Sequence, residues 1–200
     1  DINKAIHYYS LAANQNYPQA QFHLGICLFV HQNDKSIFYF KLASKNGQKN
    51  ADFFLGYLYQ EGMIIKRNIN KSIAHYKEAS SFNNQFAKNN LGIIFKNGIK
   101  CIEENDEQYE IEPNFGLAVE YFSESINKKC DCESMYNLSS IYIFDEFKMK
   151  CIDKAIELLN RSINDGFKES YELLSIAIIQ KYGRDLSSIE ESFFKKENIL

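Results

Sequence analysis

The residues able to do chemistry are few, and their spacing says what each could do. His23, Cys27 and His31 stand at i, i+4 and i+8, which on a helix would turn imidazole and thiol ligands toward one side, as a soft metal requires. Spread over about 12 Å of helical rise, they reach too far for one ion, and no fourth ligand accompanies them. No metal site is expected. Cys130 and Cys132 are one residue apart, not the two used by zinc knuckles and redox turns, and read as turn residues. Glu103, Glu104, Asp106, Glu107, Glu110 and Glu112 crowd the stretch between Gly98 and Asn114, with Lys100 the only cation. They lack the Asp spacing and central Gly of a calcium loop, so a solvated, mobile insertion is expected, with docking of a basic segment as the second reading. There is no His-Glu-x-x-His, no Gly-rich phosphate loop and no Gly-x-Ser-x-Gly, and Gly183-Arg184-Asp185 lacks the neighbours of a kinase catalytic loop. No catalytic residue and no cofactor is expected.

Composition narrows the class. Of 200 residues 45% are hydrophobic and 24% charged, the mix of a soluble chain that builds a core. Two Pro, nine Gly, no Thr and two Val leave Ile as almost the only β-branched residue, which suits helices better than a turn-rich β fold. The net charge of −3, with three Arg among the cations, argues against nucleic acid as a partner. The longest apolar runs are seven residues, far short of the roughly 20 needed to span a bilayer, so no membrane insertion is expected. Five cysteines without a pairing interval read as reduced thiols and point to the cytoplasm. Three sequons at Asn70, Asn137 and Asn160 place their serines on helix packing positions, where glycan addition is disfavoured.

What must position any site is a repeat. A small residue, Leu four on, a small residue next and a large apolar residue three further recur as Ala20/Leu24/Gly25/Leu28, Ala51/Leu55/Gly56/Tyr59, Ala87/Leu91/Gly92/Phe95, Ser134/Leu138/Ser139/Tyr142 and Ser170/Leu174/Ser175/Ile178. Between them runs a second pattern: Ala5/Tyr9/Ala12, Ser36/Phe40/Ala43, Ser72/Tyr76/Ala79, Ala118/Phe122/Ser125 and Ala155/Leu159/Ser162. Both have helical spacing. Small residues facing bulky ones let two helix axes approach while the large side chains interlock, and a lone hairpin cannot bury that face, so the hairpins must stack. From each second-helix anchor to the next first-helix anchor the intervals are 15, 15, 15, 16 and 15, whereas from first-helix Leu to second-helix anchor they are 12, 17, 27 and 17. A constant turn implies constant stacking, with length changes confined to the other edge. Four residues before the first-helix anchors stand Asn16, Gly47, Asn83, Cys130 and Gly166; Gly and Asn accept the left-handed conformation that stops a helix.

These residues, above all Asp1 through Ala13, Ala20 through Gly25 and Ala51 through Gly62, resemble the Sel-1-like repeat, a tetratricopeptide-like helical hairpin of about 36 residues. The resemblance implies an all-α fold: a right-handed α-solenoid of antiparallel helix-turn-helix repeats. A single array over 1–200 is expected, with a second helix at 1–15 and repeats at about 16–46, 47–82, 83–129 (insertion 99–113), 130–165 and 166–200. The last of these is divergent or a cap, and Ile189, Phe193 and Phe194 favour something packing there.

By the same resemblance the chain is a non-catalytic scaffold or adaptor in signalling or quality-control assemblies, binding a protein or peptide and either monomeric or part of a larger complex. The alternative is the regulatory or targeting arm of a larger signalling enzyme, for example a protein kinase, with its catalytic domain before Asp1. Counted round a helix of 3.6 residues per turn, positions two, six and nine after each first-helix anchor fall nearly opposite the core and hold Phe22/Ile26/Phe29, Phe53/Tyr57/Gln60, Asn89/Ile93/Lys96, Tyr136/Ser140/Ile143 and Glu172/Ile176/Ile179. One reading is packing between neighbouring first helices. The other, carried by the resemblance, is a concave docking face of Phe22, Ile26, Phe53, Tyr57, Asn89, Ile93 and Tyr136, with the amides of Asn90 and Asn137 gripping an extended backbone.

Overall fold

The structure, a computed structural model, describes residues 1–102, 108–126, 131–144 and 151–183. The expectations for Cys130, for Glu103, Glu104, Asp106 and Glu107, and for a cap within 184–200 lie outside these residues. Ten helices run through the described chain: α1 (Ile2–Ala13), α2 (Pro18–Val30), α3 (Lys35–Lys45), α4 (Ala51–Glu61), α5 (Ile69–Ser81), α6 (Gln85–Asn97), α7 (Phe115–Ile126), α8 (Cys132–Phe144), α9 (Ile152–Asn164) and α10 (Ser170–Tyr182). The first-helix pattern falls on α2, α4, α6, α8 and α10, the second on α1, α3, α5, α7 and α9. The chain divides into two compact units, Asp1–Leu91 and Gly92–Leu200, each built from the same hairpin.

In the first unit the knobs Phe40 and Tyr76 are fully buried, and each sits in a notch cut by a glycine of the preceding helix. A Cβ added to Gly25 would lie 2.8 Å from Phe40 Cδ1, and one added to Gly56 would lie 2.6 Å from Tyr76 Cδ1. No residue larger than Gly fits there without movement. The anchors Ala20, Leu24, Ala51 and Leu55 close the core with Phe22, Ala43 and Leu58. The second unit repeats the device. Phe122 is fully buried, and a Cβ at Gly92 would approach its Cε1 to 2.5 Å. Ala118, Met135, Leu138 and Ile141 surround it, and a further cluster joins Ala155, Leu159, Leu173 and Leu174.

The constant turns are built as their residues dictate. Asn16, Gly47, Asn83 and Gly166 have φ of 62°, 87°, 69° and 96°, the left-handed conformation that ends a helix and that Gly and Asn adopt at least cost. Each turn then delivers the next first helix in the same register. Pro18 opens α2 in its first turn, where its missing N–H costs no hydrogen bond.

The long insertion is more ordered at its flanks than expected. Strands β1 (Ile99–Ile102) and β2 (Gln108–Ile111) pair antiparallel, Ile99 opposite Ile111 and Lys100 opposite Glu110. The β-branched Ile99, Ile102 and Ile111 favour strand, Lys100 Nζ meets Glu110 at 2.5 Å, and the Asn114 N–H donates to Phe95 C=O at 2.6 Å to close the base. A cross-strand ion pair and a ladder thus hold what the excess of carboxylates alone would leave loose.

Tyr76 ties burial to pH. Asn90 Nδ2 donates to its hydroxyl at 2.9 Å, and burial, the dominant cause, pushes the phenol well above its ordinary value. The folded state keeps the proton that the unfolded chain releases near pH 10, so this contribution is whole below about pH 10 and declines above it by up to about 1.4 kcal/mol per pH unit. Urea midpoints measured at rising pH should fall less steeply for Tyr76→Phe than for the parent; equal slopes would remove Tyr76 as the cause.

Candidate docking face

The face opposite the core is half-buried in each unit, and its residues separate into those that can meet a partner and those that cannot. On α2, Phe22 is 7% exposed and belongs to the core, with Ile26 and Phe29 packed against the same cluster. Asn89 on α6 is 4% exposed. Phe22 and Asn89 therefore leave the docking set: Phe22 is gripped edge-on by Phe54 at 5.4 Å and tilted against Phe40 at 6.0 Å, so neighbouring first helices pack across this part of the stripe.

On α4, Phe53 and Tyr57 remain half-exposed. The Phe53 ring meets Phe86 of α6 at 5.8 Å, and Phe86 is 70% exposed, the highest value among the large apolar side chains described in full. The stripe read from the sequence does not include Phe86. The signal was available, since the residue just before each first-helix anchor borders that stripe when positions are counted round the helix axis.

The two amides expected to grip a backbone are engaged within the fold. Asn90 donates to Tyr76 as described, and Asn137 Oδ1 accepts from Lys96 Nζ at 3.3 Å. Burial holds the Lys96 ammonium below its usual pKa, and the Asn137 carbonyl is the dipole that meets it. Within the second unit Ile93 packs against the Phe122 cluster, and Tyr136 against the Leu173 cluster with its ring edge-on to Phe167 at 5.9 Å.

A second set of residues escapes the sequence reading. The position after each first-helix anchor is buried and polar in three helices: Gln21, Asp52 and Lys88. Gln21 Nε2 donates to Ala13 C=O at 3.3 Å while its carbonyl accepts from Asn46 at 2.8 Å. Asp52 accepts from Ser44 Oγ at 2.9 Å and pairs with His75 Nδ1 at 2.9 Å. Lys88 Nζ donates to Asn83 at 3.2 Å. Each ties its own helix to the end of the preceding second helix. Ser44, Asp52 and His75 have the side chains of a hydrolytic triad in the wrong order. The carboxylate stands between hydroxyl and imidazole, whereas nucleophilic catalysis needs the imidazole there; here the trio pins α3, α4 and α5 together. In the second unit Asp131 plays the corresponding part, accepting from Ser125 and from the hydroxyl and backbone N–H of Ser134.

Among the described residues no three His, Cys, Asp or Glu side chains lie close enough together to hold a metal ion. His23 stacks on Tyr9 at 5.3 Å, and His31 caps the end of α2. Ser72, Ser139 and Ser162, the third residues of the three sequons, are fully buried. No described helix is long and apolar enough to cross a membrane.

Comparison with known proteins agrees with this architecture. The family model of the Sel1 repeat matches residues 1–17, 18–48, 50–81, 85–129 and 132–167, boundaries that coincide with the helical hairpins. A crystal structure of a Sel1 repeat protein from Oxalobacter formigenes superposes with a TM-score of 0.73 at 22% identity, over 92% of this chain and 72% of that one. A protective antigen present in uropathogenic Escherichia coli strains, displaying an SLR fold, superposes with a TM-score of 0.74 at 21% identity, over 88% of this chain and 36% of the antigen. At these identities the likeness is one of fold. No match was found among curated proteins.

Proposed function

The chain belongs to the Sel1 repeat family, and from that premise we propose that it is a scaffold whose first-helix face receives a segment of another protein. Sel1 repeats generally mediate protein–protein interaction and are typically not catalytic. The observation that carries the finer reading is Phe86, exposed on α6 and in ring contact with Phe53 of α4. An aromatic left in water beside a second one is the kind of anchor that dominates binding energy once a partner covers it. Tyr57 and Gln60 continue the surface on α4 and supply a hydroxyl and an amide for orienting a peptide. The cytoplasm is the compartment that suits the chain, a reading supported by the free thiols of Cys27 and Cys151.

A photoreactive phenylalanine analogue at position 86 tests this in native extract, with the same analogue at Phe38 of α3, itself 60% exposed, as the control face. A discrete adduct is expected from position 86 and not from 38. Against the partner so captured, Phe86→Ala should weaken binding by about 30-fold, the loss of one aromatic hot spot of about 2 kcal/mol, with helicity unchanged. No adduct at 86, or one at 38 alone, would move the binding face elsewhere.

A further inference from the structure

The two units carry opposite charge. Asp1–Leu91 holds ten Lys and Arg against five Asp and Glu, a net +5, and Gly92–Leu200 holds 13 against 21, a net −8. The reversal is visible on the outward side of the second helices. Counted from the anchors Ser36 and Ser72, the positions one before, two after and five after fall about 140° to 260° round the helix, away from the buried anchors and knobs. On α3 they hold Lys35, Phe38 and Lys41, and on α5 Lys71, Ala74 and Lys77, all exposed. Two and five after the anchors Ala118 and Ala155 of the second unit stand Glu120 and Ser123 on α7, and Glu157 and Asn160 on α9.

The fold makes little use of this positive charge. Lys35, Lys41 and Lys77 enter none of the ion pairs among the described residues, and Lys71 lies over the Tyr59 ring at 5.4 Å. Glu78 is the one carboxylate in either helix. Amid the lysines Phe38 is 60% exposed. Its ring is propped edge-on against Tyr39 at 5.2 Å, and Tyr39 packs into the Leu24 cluster, so the exposed ring has a fixed support. Both helices are tied to Asp52, α3 through Ser44 and α5 through His75, which makes their outer sides parts of one surface.

We infer that the outer side of α3 and α5 rests on an anionic lipid bilayer, with the lysines over the headgroups and Phe38 at the boundary between headgroups and acyl chains. Protein interfaces are depleted in Lys and draw their cationic contacts from Arg, and neither helix has an Arg. The same lack denies a nucleic acid the planar fork that grips phosphate with two hydrogen bonds. A lysine is a hydrated point charge that needs no fixed partner, which suits the smeared negative potential of a lipid surface, where each adds about fivefold in affinity. An exposed Phe among lysines fits that surface as well, the ring entering while the ammonium groups stay in water. The chain lies on the membrane and does not cross it, in keeping with the length of its described helices. A lipid occupant leaves no protein adduct at position 38, and it is independent of the first-helix face around Phe86.

Co-sedimentation of the full chain with vesicles of phosphatidylcholine and phosphatidylserine at about 7:3 tests this, with pure phosphatidylcholine vesicles as the neutral reference. Binding is expected to the mixed vesicles only, and to fall as salt is raised because the charges involved are exposed. Lys41→Gln with Lys77→Gln should weaken it by about 30-fold, and Phe38→Ala by about tenfold. Glu78→Gln removes the one carboxylate of the two helices and should strengthen binding by about fivefold, a gain that damage to the fold cannot produce. Phe86→Ala should leave it unchanged, so that failure here and failure of the peptide-docking reading are told apart. Equal binding to neutral vesicles, no binding to either kind, or binding indifferent to Lys41 and Lys77 would overturn the proposal. Should vesicles not bind, retention on duplex DNA or on polyglutamate that is lost with those two lysines would name a nucleic acid or an acidic protein as the occupant instead.

Discussion

Phe122→Ala should lower the stability of the second unit by about 3–5 kcal/mol, the usual cost of emptying a fully buried aromatic site. The ring has no exposed surface and lies between Gly92 on one helix and Ala118, Met135 and Leu138 around it. Gly92→Leu attacks the same contact from the other side. Its Cβ would already stand 2.5 Å from the ring, so the side chain cannot be seated without displacing α7, at a cost of about 1–3 kcal/mol. The gain of about 1 kcal/mol from replacing a helical glycine does not offset this. Combined, the two changes should not add: leucine enters the space the ring has left, and the double variant should be more stable than the sum of the singles implies by about 1–3 kcal/mol. Urea midpoints at constant m-value measure all three. Additivity within about 0.5 kcal/mol would mean that Gly92 and Phe122 are not knob and notch.

The second large effect is expected at Asp52. Its side chain is 8% exposed and is the shared acceptor for Ser44 and His75. Asp52→Ala leaves two half-buried polar side chains without the acceptor they share, at a cost of about 1–3 kcal/mol. Asp52→Asn should fall between, since its carbonyl can accept from one of them while its NH2 can donate to the other only after the Ser44 hydroxyl turns or His75 changes tautomer, and the charge is lost. The check is again the urea midpoint, together with Ser44→Ala: if Asp52 is the clip, losing Ser44 should cost far less than losing Asp52, because the pair to His75 survives. An Asp52→Ala variant as stable as the parent would reduce the trio to a surface contact.

Much of this architecture was legible because it is local. The alternation of Ala20/Leu24/Gly25 with Ser36/Phe40/Ala43 declares helices by period and, by size, which side of each helix a neighbour must approach. Asn16, Gly47, Asn83 and Gly166 announce left-handed turns because few other residues tolerate them. The docking stripe was less legible. Composition could not tell Phe22, which the first helices bury between them, from Phe53 and Phe86, which they leave at the surface, because the same apolar residue serves packing and recognition. Polar residues misled in the opposite direction: Gln21, Asp52 and Lys88 sit about 100° from their anchors, inside the core arc, but their polarity disguised them.

From the linear chain alone follow the helices, their pairing into hairpins and the matching of Gly25, Gly56 and Gly92 to bulky partners, since each depends on helical period and side-chain volume. The folded molecule decided which of those positions water still reaches. It also chose which amides were already satisfied, Asn90 by Tyr76 and Asn137 by the more distant Lys96. Those outcomes rest on where other helices come to lie, which the period of a single helix does not encode.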